Sequence, residues 1–244
     1  MHRFFVPPKW LREEEVAIAG PIARRIGKAL RVGDRAILLD NSGWEHEVEI
    51  STLEEDKVVG LVVRKSLAAG EPRTKVSLYQ GVLEGKRFKF VLQRGTELGV
   101  VEFVPLVCGR CVIADLSDIS AARFRRWRRA IREGAERSGR GRLPNLQPAM
   151  LFPQACEQAV RSGLSIILCE EGVGLHSVLR KKKRVSPFSV NIFVGPEEGF
   201  TPEEVEQARR YGLIPVTFGP RILRPEMVGL VAATAILYEL GDLE

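Results

Sequence analysis

Val190-Asn191-Ile192-Phe193-Val194-Gly195-Pro196-Glu197-Glu198-Gly199-Phe200-Thr201-Pro202-Glu203-Glu204 sets the class of fold. Val190 to Val194 is a short apolar run of the kind found in a strand covered on both faces. Thr201 to Glu204 is a capping box, with Pro202 at the first helical position and acids facing the helix dipole. The text therefore reads strand, loop, helix. In open α/β sheets ligands bind at the carboxyl ends of strands, so the loop Gly195 to Phe200 is a candidate pocket wall. A merely well-made turn would explain its glycines but not the Pro196-Glu197 pair.

The same texture extends both ways. Lys75 to Gln80, Val101 to Val107, Leu164 to Cys169 and Ile214 to Phe218 read as strands, and Lys86 to Leu98 as a helix, which together make an α/β domain with a largely parallel sheet. A second strand-end loop, Phe218-Gly219-Pro220-Arg221-Ile222-Leu223-Arg224-Pro225-Glu226, carries two arginines and one carboxylate ahead of the apolar helix Val228 to Leu240. Such charge before a buried helix is either an ion pair or a site. Gly172-Val173-Gly174 follows a strand, but Ser177 stands where a dinucleotide fingerprint needs its third glycine, and two acids precede it. GxxxxGK[ST], GxSxG and HExxH do not occur.

Upstream, Asp34 to Asp40, Trp44 to Leu53 and Lys57 to Arg64 read as strands around the turn Asn41-Ser42-Gly43, with the alternation of a sheet wet on one side. This predicts a small β-barrel. Ala68-Ala69-Gly70-Glu71-Pro72 reads as a linker, which divides the chain into domains 1–71 and 72–244.

With 45% hydrophobic and 28% charged residues among 244, disorder, collagen and coiled coil are excluded as the dominant state. The longest apolar stretches fall short of the ~20 residues that span a bilayer, so no membrane association is expected. Met1 to Trp10 has no apolar core ahead of the charged run Arg12 to Glu15, and the four cysteines read as reduced thiols; a cytoplasmic protein is expected. Cys108-Gly-Arg-Cys111 has CxxC spacing but no second pair and no histidine pair to complete a metal site, so it reads as small buried residues and no metal is expected.

The net charge of +6 is concentrated. Nine arginines lie between Arg123 and Arg142 against Glu133 and Glu136, on a helix whose apolar stripe is Phe124, Trp127, Ile131 and Ala135 and which Gly139 stops. A solvated face is the plain alternative, but the planar fork of arginine suits phosphate, and the run points to nucleic acid. Lys181-Lys182-Lys183-Arg184 is a second basic cluster.

Gln93-Arg94-Gly95-Thr96-Glu97-Leu98-Gly99, Gly195-Pro196-Glu197-Glu198-Gly199-Phe200 and Gly219-Pro220-Arg221-Ile222-Leu223-Arg224-Pro225-Glu226 together resemble the RsmE family, bacterial methyltransferases that methylate N3 of one uridine of 16S ribosomal RNA. The opening His2-Arg3-Phe4-Phe5-Val6 and the barrel-like first third resemble the family's PUA-like RNA-binding domain, and Glu136-Arg137-Ser138-Gly139-Arg140 resembles its Glu-Gln-Ser-x-Arg signature. The resemblance implies a SPOUT-type parallel-sheet domain whose C-terminal loops are tied in a trefoil knot around S-adenosylmethionine. It places the cofactor against Leu168, Cys169 and Glu170, against Val194, Gly195, Pro196, Glu197 and Gly199, and against Phe218, Gly219, Pro220, Ile222 and Leu223. It also implies a homodimer packed through the last helix and a substrate in the small ribosomal subunit.

Uracil N3 carries a proton at neutral pH, so transfer needs that proton removed or the developing charge stabilised. Arg221 and Arg224 are candidates to stabilise charge or hold phosphate. Glu226 is either the base or an orienting partner for an arginine. Arg3, with Arg125, Arg129, Arg137 and Arg140 of the arginine-rich segment, is expected to hold the RNA backbone while the uridine is extruded. Where the family commonly reads Leu-Arg-Thr-Glu-Thr-Ala this chain has Leu223-Arg224-Pro225-Glu226-Met227-Val228; two hydroxyls are missing, Pro225 lacks a backbone donor, and Met227 offers apolar bulk against the cofactor. Two other readings keep the fold: methylation of a ribose 2′-hydroxyl or another base, and a non-catalytic RNA-binding or assembly protein.

Overall fold

The computed structural model describes residues 1–11, 14–161, 163–182 and 187–243. Arg12 and Glu13 of the expected charged run, and Lys183 and Arg184 of the second basic cluster, lie outside them. The chain forms two units, residues 1–71 with 132–143, and residues 72–131 with 144–244.

In the first unit, β1 (His2–Phe5), β2 (Glu15–Ala19), α1 (Pro21–Ala29), β3 (Arg35–Leu39), β4 (Trp44–Leu53) and β5 (Lys57–Leu67) follow in order. The strands form one sheet, β1-β3-β4-β5-β2, parallel at β1·β3 and antiparallel elsewhere. Alternation places Val16, Ile18, Ala36, Leu38, Val48 and Ile50 on one face with Ala23 and Ile26 of α1. Phe5, Ile37 and Leu39 cover Ala135 instead.

That contact explains why residues 132–143 belong to this unit although they lie far along the chain. Glu136 accepts from the Phe5 amide at 3.2 Å and pairs with Arg25 at 2.6 Å. Arg140, only 2% exposed, pairs with Glu71 at 3.0 Å. A buried guanidinium neutralised in this way is structural, so the expectation that Arg140 faces RNA is corrected. A single cut between residues 71 and 72 misses the returning segment, because its attachment is by contacts distant in sequence.

The second unit contains β6 (Lys75–Gly81), α2 (Arg87–Leu98), β7 (Glu102–Val107), the start of α3 (Ala121–Arg137), β8 (Asn145–Leu146), β9 (Met150–Leu151), α4 (Phe152–Ala159), β10 (Leu164–Gly174), α5 (Leu175–Lys182), β11 (Ser189–Val194), α6 (Pro202–Arg210), β12 (Ile214–Thr217) and α7 (Pro225–Glu239). Its strands run β12-β10-β11-β6-β7-β8, with β9 also on β7, and every recorded pairing is parallel. Neighbouring residues face opposite layers. Ile166 and Ile192 pack with Phe88 and Leu92 of α2 and with Ala233 and Ile236 of α7. Ile167 and Phe193 pack with Phe152 of α4 and Ala208 of α6. This three-layer arrangement is what consecutive apolar residues in strands demand.

Two boundaries differ from the sequence expectation and both shape the site. β10 runs on through Gly174, so Gly172-Val173-Gly174 is strand rather than a phosphate loop. α7 begins at Pro225, three residues early, because proline at the first helical position fits the fixed φ of a helix start. No helix among the described residues is long and apolar enough to cross a membrane.

Candidate active site

The middle of β10 and the turns that follow β11 and β12 meet in a cleft of about 570 Å³. From β10 come Leu168, Cys169 and Glu170; from the β11–α6 turn come Val194, Gly195, Pro196, Glu197, Glu198 and Gly199. The β12–α7 loop adds Val216 through Leu223, with Pro225 and Val228 of α7.

Each wall has a local cause. β10 pairs Leu168 with Val216 of β12, slips, and resumes with Val173 opposite the same Val216. The extra residues between them bulge out of the ladder, which exposes the Cys169–Glu170 backbone to the cleft. A Cβ on Gly172 would lie 2.7 Å from the Pro215 backbone, so only glycine lets the bulge close against β12.

The second wall is held from outside. Glu204 and Thr201 form the expected capping box, at 3.2 Å and 2.9 Å. The other oxygen of Glu204 accepts from the Gly109 amide at 2.7 Å. Arg110 donates to the carbonyls of Glu198 at 2.8 Å and Phe200 at 3.4 Å. Glu197 accepts from the Glu84 amide at 3.0 Å and pairs with Arg87 at 2.8 Å, so its charge in the cleft is compensated. Gly109 and Arg110 lie between Cys108 and Cys111, whose sulfurs are 3.2 Å apart. Their hydrogen bond pushes the Cys108 thiol up, with burial adding to it, and pulls Cys111 down. These cysteines are half-buried and brace the turn that presents Arg110; among the described residues no three potential ligands are grouped for a metal. The structural role of this turn was not read from the sequence, where CxxC suggested nothing beyond small residues.

The third wall follows β12. The Gly219 amide donates to Thr217 Oγ1 at 3.2 Å, and Arg224 is the N-cap of α7. Ile222 is 96% exposed at the mouth of the cleft. Burial pushes the Cys169 thiol up, so it is a neutral group in the wall, donating to Glu171 O at 2.9 Å.

All residues expected from the resemblance to touch the cofactor line this cleft except Met227. Pro225 and Val228, three apart, share the face of α7 that lines the cleft, and Met227 is not among the lining residues. Met227 is 39% exposed and offers no wall; the expectation that it packs into the cleft is corrected. Arg221 lines the cleft, whereas Arg224, the N-cap of α7, and Glu226 in its first turn adjoin the lining residues Leu223 and Pro225 without being among them. Glu226 Oε2 is buried without a hydrogen-bond partner, and no ion pair joins it to either arginine among the described residues.

On α3, Arg125, Arg126 and Arg129 surround a shallow depression with Ala122. Arg128 lies 5.4 Å over the Phe124 ring. Phe88 and Phe124 pack on Trp127, so the predicted stripe faces inward and the arginines outward. In the first unit Arg137 is exposed, while Arg3 is committed to an ion pair with Glu45.

Comparison with known proteins places these features. A family model described as an RNA methyltransferase domain matches residues 70–237. Ribosomal RNA small subunit methyltransferase E of Bacillus subtilis is 30% identical, with 98% of this chain and 97% of that protein covered. The protein of the same name from Mesomycoplasma hyopneumoniae is 26% identical over 96% of this chain and 98% of its own. The crystal structure of ribosomal RNA small subunit methyltransferase E from Neisseria gonorrhoeae bound to S-adenosyl methionine superposes with a TM-score of 0.88 at 26% identity, over 98% of this chain and 97% of that one.

Proposed function

Because this chain belongs to the ribosomal RNA small subunit methyltransferase E (RsmE) family of RNA methyltransferases, we propose that it transfers a methyl group from S-adenosylmethionine to N3 of one uridine of 16S ribosomal RNA. The observation that carries this reading is the three-walled cleft formed by the β10 bulge and the turns that follow β11 and β12.

The residues fit such a cofactor. About 570 Å³ lies within the range of small-molecule pockets. Gly199 and Gly219 have φ of +70° and +82° with nothing within 4 Å of where a Cβ would point, so their backbone can be approached closely. Leu168, Cys169, Val194, Gly195, Pro196, Phe218, Gly219, Pro220 and Leu223 would hold the cofactor, mostly through backbone and apolar contact. When bound, it supplies a methyl group already activated on a sulfonium.

The chain's own residues must then bind the base and manage its proton. Arg221, in the cleft, is placed to stabilise negative charge developing on uracil, and Arg224, next to the lining residues Leu223 and Pro225, to hold the base or its phosphate. Glu226 keeps one carboxylate oxygen without a partner, which suits a proton acceptor better than an orienting ion pair. The outward arginines of α3 supply phosphate contacts that position the RNA.

Three finer features belong to the same proposal. The first unit is read as a PUA-like RNA-binding barrel, supported by the two register shifts between β4 and β5 that coil the sheet. The C-terminal loops are read as a trefoil knot, supported by the return of α7 from the edge strand β12 to pack on β11, β6 and α2. A homodimer through α7 is supported by Met227, Val231, Thr234 and Tyr238, which fall on one helical face and leave Tyr238 66% exposed. A cytoplasmic location accords with an RNA substrate.

The test is to incubate the protein and S-adenosylmethionine with small ribosomal subunits from a strain lacking this methylation. Primer extension and nucleoside mass spectrometry are expected to find a single stop and 3-methyluridine, since N3 methylation blocks the pairing edge. A ribose-methylated product would assign another target atom, and absence of modification with RNA binding intact would make the protein a non-catalytic binder.

A further inference from the structure

Gln80 is a polar residue in the middle of an apolar sheet. It is 1% exposed, near the end of β6, and in register with Val194, the last residue of β11. Burying an amide there is unfavourable unless its hydrogen bonds are made. Its Nε2 donates at 3.2 Å to Gly81 O and at 3.2 Å to Gly195 O. Both acceptors are carbonyls, so the nitrogen must face them and the amide orientation is set by chemistry. The Oε1 atom finds no donor. An apolar residue would avoid that cost, so the amide serves its grip on these carbonyls rather than the packing of the sheet.

What it grips is the first peptide of the turn that walls the cleft. Gly195 is followed by Pro196, whose nitrogen carries no hydrogen. The Gly195 carbonyl oxygen is therefore the sole hydrogen-bonding atom of that peptide, and Gln80 holds it. Gly81, the next residue, lets the turn come close: a Cβ there would stand 2.6 Å from Pro196 N. The outer part of the same turn is fixed separately, by Arg110 on Glu198 and Phe200 and by Arg87 on Glu197.

We infer that Gln80 is a positioning residue for cofactor binding: its side-chain amide fixes the Gly195–Pro196 peptide in the orientation that forms the cofactor wall, without touching cofactor or RNA. This rests on the reading that the cleft holds S-adenosylmethionine. Gln80→Met keeps length and volume but removes the donor. Gln80→Asn keeps the amide but is shorter by a methylene and falls out of reach.

Titration calorimetry of the full chain with S-adenosylmethionine, with thermal melting as the fold control, tests this. Wild type is expected to bind. Both variants are expected to raise Kd about tenfold, the weight of one buried hydrogen bond and its unsatisfied partner, with KM for the methyl donor rising in step and kcat at saturation within about twofold. A folded Gln80→Met with wild-type Kd, or a Gln80→Asn that restores it, overturns the inference. Wild type that does not bind S-adenosylmethionine overturns instead the functional reading beneath it.

Discussion

Gly81→Ala is the smallest change that should move the cleft. The added Cβ would lie 2.6 Å from Pro196 N, 2.9 Å from Gly195 C and 3.0 Å from Pro196 Cδ. None of these is the tip of a flexible side chain, so the turn itself must retreat by the better part of an ångström. Gly81 does not have a positive φ, so the substitution brings steric conflict without backbone strain. Overpacking of this kind costs about 1–3 kcal/mol, offset by about 0.4–1 kcal/mol from the stiffer unfolded chain, which leaves a net loss near 1 kcal/mol. Binding of S-adenosylmethionine should weaken as well, by about tenfold or more, because the displaced atoms are the proposed cofactor wall and one lost hydrogen bond there is worth about that much. Calorimetry with S-adenosylmethionine and urea denaturation, run on the same samples, would separate the two effects. Gly174→Ala, with nothing within 4 Å of its Cβ position and no positive φ, is the matched control and should bind as wild type does. If Gly81→Ala also binds normally while paying the stability cost, the turn does not form the cofactor wall.

Other perturbations separate the remaining roles. Arg224→Ala should lower kcat at least about tenfold, as loss of a charge-stabilising donor does, while Kd for S-adenosylmethionine stays within about twofold; unchanged turnover would remove Arg224 from the mechanism. Arg125→Glu with Arg129→Glu should weaken RNA binding and flatten its log–log salt dependence by about 1.5, two phosphate contacts' worth, and an unaltered slope would make that face ordinary solvated surface. Asp242 accepts from the amides of Arg73 at 2.8 Å and Thr74 at 3.0 Å, anchoring the end of the chain beside β6. Burial pushes its carboxyl up, but those hydrogen bonds and the Arg73 charge outweigh it and hold the carboxyl below its ordinary value. Its stabilisation is therefore present at neutral pH and lost as pH falls through that lowered value. Asp242→Asn should cost about 2 kcal/mol by urea denaturation at pH 7, and the gap from wild type should narrow only below about pH 4; a gap constant down to pH 2 would refute this.

The parts of the fold that were legible are those that depend on local pattern. Ile192-Phe193 and Ile166-Ile167 announce strands covered on both faces, and Thr201 to Glu204 announces a helix start, because burial and capping act within a few residues. The turns after β11 and β12 were legible for the same reason, whereas the wall at Cys169 proved to be a bulge within β10 rather than its end, because that bulge is set by pairing with β12. What was missed depends on partners far away in sequence. Arg140 looks like one more basic residue until Glu71 is seen beside it. Cys108-Gly-Arg-Cys111 looks like a spacing motif until Arg110 is seen holding the carbonyls of Glu198 and Phe200. Met227 fails for a subtler reason: a loop reading of Arg224 to Met227 leaves its direction open, whereas a helix beginning at Pro225 gives the cleft to residues 225 and 228 and not to 227. Gln80 left a signal that composition and periodicity pass over. One amide at the end of a strand reading Val76-Ser77-Leu78-Tyr79 is a local inconsistency, and such inconsistencies gather where structure serves a site rather than a core. The support for this cleft thus comes from groups that do not line it, the buried Gln80 and, nearer the surface, Arg110 and Glu204, and the strongest test of its proposed function is to alter those groups while leaving every lining residue in place.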